Sequence, residues 1–174
     1  MAEETPLEIE YKFLIRMPDT EQLMRLGAQE SAIVQTYLLS RDGQTERVRM
    51  RRYGDRTEFT HTRKERISPA VCREDERPVS EEAYRELLEQ ADPKRNPIEK
   101  RRYCVPYEGY LYEIDVYPFW QDRAVMEVEL EREDARFSIP PFVEVIRDVT
   151  ADRRYKNSML AVAVPQDPLE KNGK

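Results

Sequence analysis

Carboxylates and cations recur two residues apart along this chain. Glu8, Glu10 and Lys12 alternate with Ile9, Tyr11 and Phe13, and Arg47 and Arg49, with Arg51 beyond them, alternate with Val48 and Met50. Thr60, Thr62 and Lys64 follow, then Lys100 with Arg102, Glu113 with Asp115, and Glu127 with Glu129. Side chains two apart on a strand share a face, with Cα atoms roughly 6.5–7 Å apart. Carboxylates at that spacing can reach one hard cation, or one each of two close cations, and oxygen donors suit Mg²⁺ or Mn²⁺. The basic residues supply multi-donor contacts suited to phosphate oxygens. Phosphoryl transfer asks mainly for positioning and charge neutralisation, which this inventory provides.

Other chemistries are poorly served. His61 is the one histidine and the two cysteines, Cys72 and Cys104, form no cluster, so zinc and Cys-His or Ser-His-Asp catalysis lack their parts. There is no GxxxxGK[ST] loop. A net charge of −6 argues against a broad nucleic-acid or acidic-membrane surface, although a small basic site inside an acidic protein would not alter that total.

The elements that must carry these residues read as strands. Leu7 to Ile15, Ile33 to Leu39, Arg47 to Arg52, Glu58 to Lys64, Val71 to Val79, Lys100 to Tyr107, Tyr110 to Tyr117 and Ala124 to Glu131 give eight. Asp42-Gly43, Gly54-Asp55 and Glu108-Gly109 supply turns. Asp19 or Thr20 caps a helix over Leu23, Met24 and Leu26, and Ser80 caps one over Ala83, Tyr84, Leu87 and Leu88. A short helix at Pro140 or Pro141 and a last one over Asp152 to Val162 complete an α+β pattern. One alternating strand would mean a sheet with a wet charged face. Here same-sign pairs recur strand after strand, and like charges on one face need compensation. Closing eight strands into an antiparallel barrel, with the charged rows inward and helices packed outside, answers this. The strongest inward candidates are six acidic and six basic, a balance that admits a polyanion together with divalent cations.

Eight segments in register resemble the CYTH superfamily, the triphosphate tunnel metalloenzymes. They are LEIEYKFLI with its ExExK spacing, RVRMR, THTRK, EDERPVS, KRRY, then YEIDVY with MEVEL, and DVTADRRYKNSMLA. The resemblance implies an eight-stranded tunnel with a charged lumen and hydrolysis of a triphosphate with Mg²⁺ or Mn²⁺. Inorganic triphosphate, cleaved to pyrophosphate and phosphate by in-line attack of a metal-positioned water, is the expected substrate. It further implies Glu8, Glu10, Asp115, Glu127 and Glu129 as metal ligands, and Lys12, Arg47, Arg49, Lys64, Lys100, Arg102 and Arg154 as phosphate-binding residues. Catalytic roles fall to Glu113, Glu127, Glu129 and Lys12. The roles of Glu74, Glu76, Arg51 and Lys156 stay open. Nucleoside or thiamine triphosphate hydrolysis, cyclisation of ATP to cyclic AMP, and polyphosphate binding without catalysis are the alternatives.

The remaining residues have plainer roles. His61 faces away from Lys64, Trp120 packs in a connection, and Tyr103, Tyr107, Tyr110, Tyr112 and Tyr117 belong to the outer face and rim. The 174 residues read as one tunnel domain over residues 1–165 and a polar, frayed tail over 166–174. The acidic start, MAEETPLEIEYK, shows no apolar leader and no run reaches membrane-spanning length, so a cytoplasmic monomer or homodimer acting on a small-molecule triphosphate is expected.

Overall fold

The computed structural model describes residues 6–169. Nine strands form one sheet: β1 (Leu7–Arg16), β2 (Gln29–Tyr37), β3 (Gln44–Tyr53), β4 (Arg56–Arg66), β5 (Val71–Pro78), β6 (Ile98–Tyr107), β7 (Tyr110–Val116), β8 (Arg123–Leu130) and β9 (Val145–Asp148). Their order is β5-β4-β3-β2-β6-β7-β8-β1-β9, and an added β5–β1 pairing closes the first eight into an antiparallel barrel. Closure is short: Leu7, Glu8 and Ile9 pair with Arg73, Cys72 and Val71. Further along β1, Phe13, Leu14 and Ile15 pair with β9 instead.

Local sequence explains the connections. Glu108 and Gly109 both take positive φ, 45° and 83°, in the two-residue turn between Tyr107 and Tyr110, as the right-handed twist of a hairpin requires. Helix α1 (Thr20–Arg25) starts where Asp19 accepts from the backbone N–H of Glu21 and Gln22 at 3.0 and 3.1 Å. Helix α2 (Glu81–Leu88) starts where Ser80 accepts from Ala83 N at 3.0 Å.

The alternation divides the side chains as expected. Phe13, Ile15, Tyr103, Tyr112, Ile114, Met126 and Val128 face outward and are buried. Their cover, however, is only partly helical. Leu23 of α1 contributes, while Ala135, Phe137, Phe142 and Val143 come from the irregular segment between β8 and β9. The helix expected at Pro140 or Pro141 is a single turn, closed by Val143 N on Pro140 O at 3.2 Å. The chain then extends into β9, which no alternation announces. The free edge of β1 beyond its pairing with β5 creates that strand.

A second apolar cluster lies inside the barrel. Leu14, Tyr37, Ile98, Tyr117 and Val125 belong to it, with Tyr155, Leu160 and Ala161 from the C-terminal segment. Each of the five strand residues stands two positions from an inward polar residue: Lys12, Gln35, Lys100, Asp115 and Glu127 respectively. The same rows therefore change from charged to apolar at one level, where this plug packs between them.

The last expected helix is broken in two. A 3₁₀ turn (Arg153–Tyr155) and helix α3 (Asn157–Leu160) flank Lys156, which is extended at φ −73°, ψ 140°. The break lets Tyr155 and Leu160 both enter the plug while Asn157 faces the polar floor. The chain beyond is not frayed up to residue 169: Trp120 Nε1 donates to Pro165 O at 2.9 Å, and Val164 and Leu169 pack on the plug. The rest of the expected tail lies outside the described residues. Among those described, no helix is long and apolar enough to cross a membrane.

Candidate active site

Above the plug lies a cavity of about 870 Å³. Its walls carry Glu8, Glu10 and Lys12 of β1, Arg47, Arg49 and Arg51 of β3, and Lys64 of β4. Arg102 of β6, Glu113 of β7 and Glu127 and Glu129 of β8 complete the expected set on those walls. Glu74 and Glu76 of β5, left open by sequence, also line it.

The deepest charges are mutually satisfied. Asp115 is fully buried, and its two oxygens accept from Arg102 Nε and Nη2 at 2.8 and 2.9 Å and from Lys100 Nζ at 2.8 Å. Lys100 and Asp115 do not reach the cavity wall; they form a floor beneath it. Burial pushes the Lys100 ammonium down to about 7, against the pull of Asp115, because Arg102 and Arg49 stand close. With both oxygens engaged, Asp115 braces Arg102 and Lys100. Tyr117 and Asn157 extend the floor through a hydroxyl donated to Asn157 Oδ1 at 2.6 Å.

Higher up, pairing is looser. Lys12 Nζ stands 3.1 Å from Glu127 and Lys64 Nζ stands 2.9 Å from Glu8 and 3.8 Å from Glu74. Arg102 also pairs with Glu113, and reaches Glu127 at 3.9 Å. Arg49 donates to Gln35 Oε1 at 3.0 and 3.3 Å, so an amide orients it without neutralising it. Burial, with Arg47 and Arg102 nearby, lowers the Arg49 guanidinium to about 10. The buried Arg47 Nε has no hydrogen-bond partner among the described residues.

Glu10 and Glu129 differ from the rest. They are direct partners in the β1–β8 register, and neither has a basic side chain within ion-pair distance among the described residues. Burial raises Glu10 well above the usual carboxylate range, helped by the charge of Glu127; burial also raises Glu129, with Glu8 and Glu113 repelling. Glu8 and Glu74 shift in opposite directions as neighbours. Burial opposes ionisation of both, yet the hydrogen bond and Lys64 bring Glu8 down to about 2 while Glu74 rises to about 8. Among the described residues no three His, Cys, Asp or Glu are already drawn together as a cation cage. The donors are nonetheless all oxygens, and the crowded, unpaired Glu10 and Glu129, flanked by Glu8 and Glu127, fit a hard divalent cation.

Arg154 is not brought to the cavity. Its guanidinium is half exposed and pairs with Asp152 at 2.8 Å and Asp167 at 2.9 Å. Arg153 and Lys156 reach the cavity instead. His61 faces outward and bonds Glu46 at 2.7 Å, and Trp120 is buried in packing, both as expected. Tyr103 and Tyr112 lie on the outer face, but Tyr117 points into the plug. Arg66 was overlooked, although it lies two residues beyond Lys64 and so in the same row.

The molecule is a closed antiparallel barrel with acidic and basic rows around a polar lumen. The comparisons agree. The crystal structure of the inorganic triphosphatase NE1496 matches at 31% identity and TM-score 0.53 over 95% of this chain and 98% of that one. A second structure of NE1496 matches at 32% identity and TM-score 0.54, over 91% and 99% of the two chains. The HpAC1 protein of Hippeastrum, with 18% identity, TM-score 0.53 and coverage of 72% and 80%, shares the fold. An inorganic triphosphatase of Acetivibrio thermocellus is 41% identical over 64 residues, which is 36% of this chain and spans only 40% of the relative's length. No family model matches. The chain belongs to the CYTH superfamily of triphosphate tunnel metalloenzymes.

Proposed function

We propose that this protein hydrolyses a triphosphate inside the barrel with Mg²⁺ or Mn²⁺, and that inorganic triphosphate is its substrate. The observation that carries this reading is the cavity wall: eleven basic side chains against nine acidic ones, with Arg47 Nε lacking an acceptor. That excess suits a polyanion, and Glu10 and Glu129, in no ion pair among the described residues, stay available to a cation. The identity to NE1496 supports the reading.

Lys64, Arg47, Arg49 and Arg102 grip and align the phosphate chain, with Lys12 at the level of Glu127. Glu10 and Glu129, with Glu8 and Glu127, hold the divalent cation. A divalent cation bound there would supply neutralisation of phosphate oxygens and a more acidic water. Glu113, tethered to Arg102, orients the attacking water in line with the terminal phosphorus. Asp115 and Lys100 touch neither substrate nor cation and fix Arg102 from below.

A bare phosphate chain is favoured over a nucleotide by the lining. Its one aromatic ring is Tyr37, which is buried in the plug cluster, so the described residues offer no platform for stacking a base. Phosphate release from inorganic triphosphate, ATP and thiamine triphosphate, each with Mg²⁺, Mn²⁺ or EDTA, tests this. The expected result is fastest release from inorganic triphosphate and none with EDTA. Tight triphosphate binding with no release from any substrate overturns the enzyme reading and leaves a polyphosphate-binding module.

A further inference from the structure

The three inward arginines of β3 are answered by a strand that carries no charge on that side. The inward row of β2 is Ser31, Ile33, Gln35 and Tyr37. In the β2–β3 register Gln35 stands opposite Arg49 and Tyr37 opposite Arg47. Gln35 Oε1 takes both hydrogen bonds from Arg49, and Gln35 Nε2 donates to the Tyr37 hydroxyl at 2.9 Å. Further along the row, Ser31 Oγ accepts from Arg51 Nε at 2.9 Å, and Arg51 Nη2 lies 3.5 Å from Cys104 Sγ. Tyr37 completes the set at Arg47. Burial opposes the charge of that guanidinium, and Tyr37 comes before Glu74 among the groups that favour it.

The other cations of the lumen are treated differently. β6, the second neighbour of β2, carries Lys100 and Arg102, and Asp115 and Glu113 of β7 neutralise them. Lys12 and Lys64 pair with Glu127 and Glu8. Among the described residues, by contrast, Arg49 and Arg51 make no ion pair, and Arg47 reaches only Glu74, at 4.0 Å. A buried donor left unpaired costs the desolvation of that group, so these guanidinium groups need acceptors. A carboxylate would serve and would cancel the charge. An amide or a hydroxyl serves and leaves the positive field in place. Gln35 and Ser31 are both buried, so packing holds these acceptors where they are.

We propose that Gln35, Ser31 and Tyr37 are positioning residues, a ladder of neutral acceptors that aims Arg49, Arg51 and Arg47 into the cavity and leaves their charge to an anionic substrate. The inference rests on the cavity holding a phosphate chain, and it makes the β3 wall the part of the lumen that attracts that chain most strongly. It also gives Arg51, which lines the cavity, a place in that wall.

Gln35→Glu tests the ladder, because it keeps the shape of the side chain and sets a carboxylate beside Arg49. Calorimetric binding of tripolyphosphate in EDTA is expected to weaken about tenfold, while the denaturant midpoint holds or rises as the new ion pair forms. A merely structural role for Gln35 would do the reverse, moving the midpoint and sparing the affinity. Glu30→Gln changes the charge on the outer face of the same strand, where Glu30 pairs with Arg101, and is expected to keep the native affinity. Ser31→Ala removes the acceptor of Arg51 alone and is expected to weaken binding about threefold, which keeps the ladder testable if Gln35→Glu folds poorly. Native affinity in a folded Gln35→Glu protein overturns the proposal, as does native affinity in Ser31→Ala. A native protein that binds tripolyphosphate without releasing phosphate contradicts hydrolysis alone and leaves these affinities readable, so the two readings fail separately.

Discussion

The floor and the wall of this barrel use the same residue types for opposite ends. On the floor, Asp115 is enclosed by Arg102 and Lys100, every oxygen answered at 2.8–2.9 Å. On the wall, Glu10 and Glu129 face each other across β1 and β8 with no basic side chain within ion-pair distance among the described residues. Burial alone does not separate a structural charge from a working one, since a charge taken out of water is costly in either place. What separates them is whether the fold supplies the partner or leaves the position for a ligand.

That contrast can be broken from the floor first. Asp115→Ala leaves Lys100 and Arg102 buried without their shared partner and should cost about 3–5 kcal/mol of stability, read from the denaturant midpoint. A small change there would mean the floor is not what braces Arg102. Glu129→Gln removes a repelled carboxylate from the wall. Its thermal midpoint should hold or rise slightly, while metal-dependent phosphate release falls by about two orders of magnitude, the usual scale for one electrostatic contributor. A large loss of stability with little loss of activity would assign Glu129 to the scaffold.

A pH series sharpens the comparison further. Glu10, Glu129 and Glu74 have folded-state pKa values above their ordinary ones, Glu74 at about 8. Raised carboxylates favour the folded state while protonated, so their contribution is present at low pH and is lost as pH rises through the folded values. The opposite shift of Glu8, down to about 2, acts only in more acidic solution. Metal-free protein should therefore lose thermal stability between about pH 5 and pH 7, below the range where the depressed Lys100 acts in the opposite sense, and added Mg²⁺ or Mn²⁺ should restore part of it at the upper end. Stability that rises across that range, or ignores the cation, contradicts the assignment of Glu10 and Glu129. The smallest effect belongs to Arg154→Ala, whose ion pairs are surface ones. Stability should change by under about 1 kcal/mol and triphosphate turnover by little.

Much of this was legible because strand alternation is strict. Glu8, Glu10, Lys12, Arg47, Arg49, Lys64, Arg102, Glu127 and Glu129 could be placed on one surface from spacing alone, and all line the cavity. Sequence could not tell depth along a row. Lys100 and Asp115 obey the same alternation as their neighbours yet sit one level lower, against Tyr117 and the plug. Nor could it foresee that polar Gln35, rather than an acid, would orient Arg49. Glu74 and Glu76 were hidden within a charged run that reads equally well as a solvated strand. The C-terminal segment was the least legible part. An amphipathic pattern over Asp152 to Val162 predicts one helix, but the plug needs Tyr155 and Leu160 together, and the break at Lys156 satisfies both. Arg154 follows that break outward, which spacing along an ideal helix does not anticipate. β9 exists because an edge of β1 is left over, a property of the assembled barrel and not of Val145–Asp148.

The most direct measurement is a crystal structure with tripolyphosphate and Mn²⁺ soaked in. Anomalous signal between Glu10 and Glu129, with the phosphate chain held by Lys64, Arg47 and Arg102, is the predicted result. A phosphate chain bound only on the outer surface, or a cation on Asp115 with Arg102 and Lys100 displaced, would contradict it.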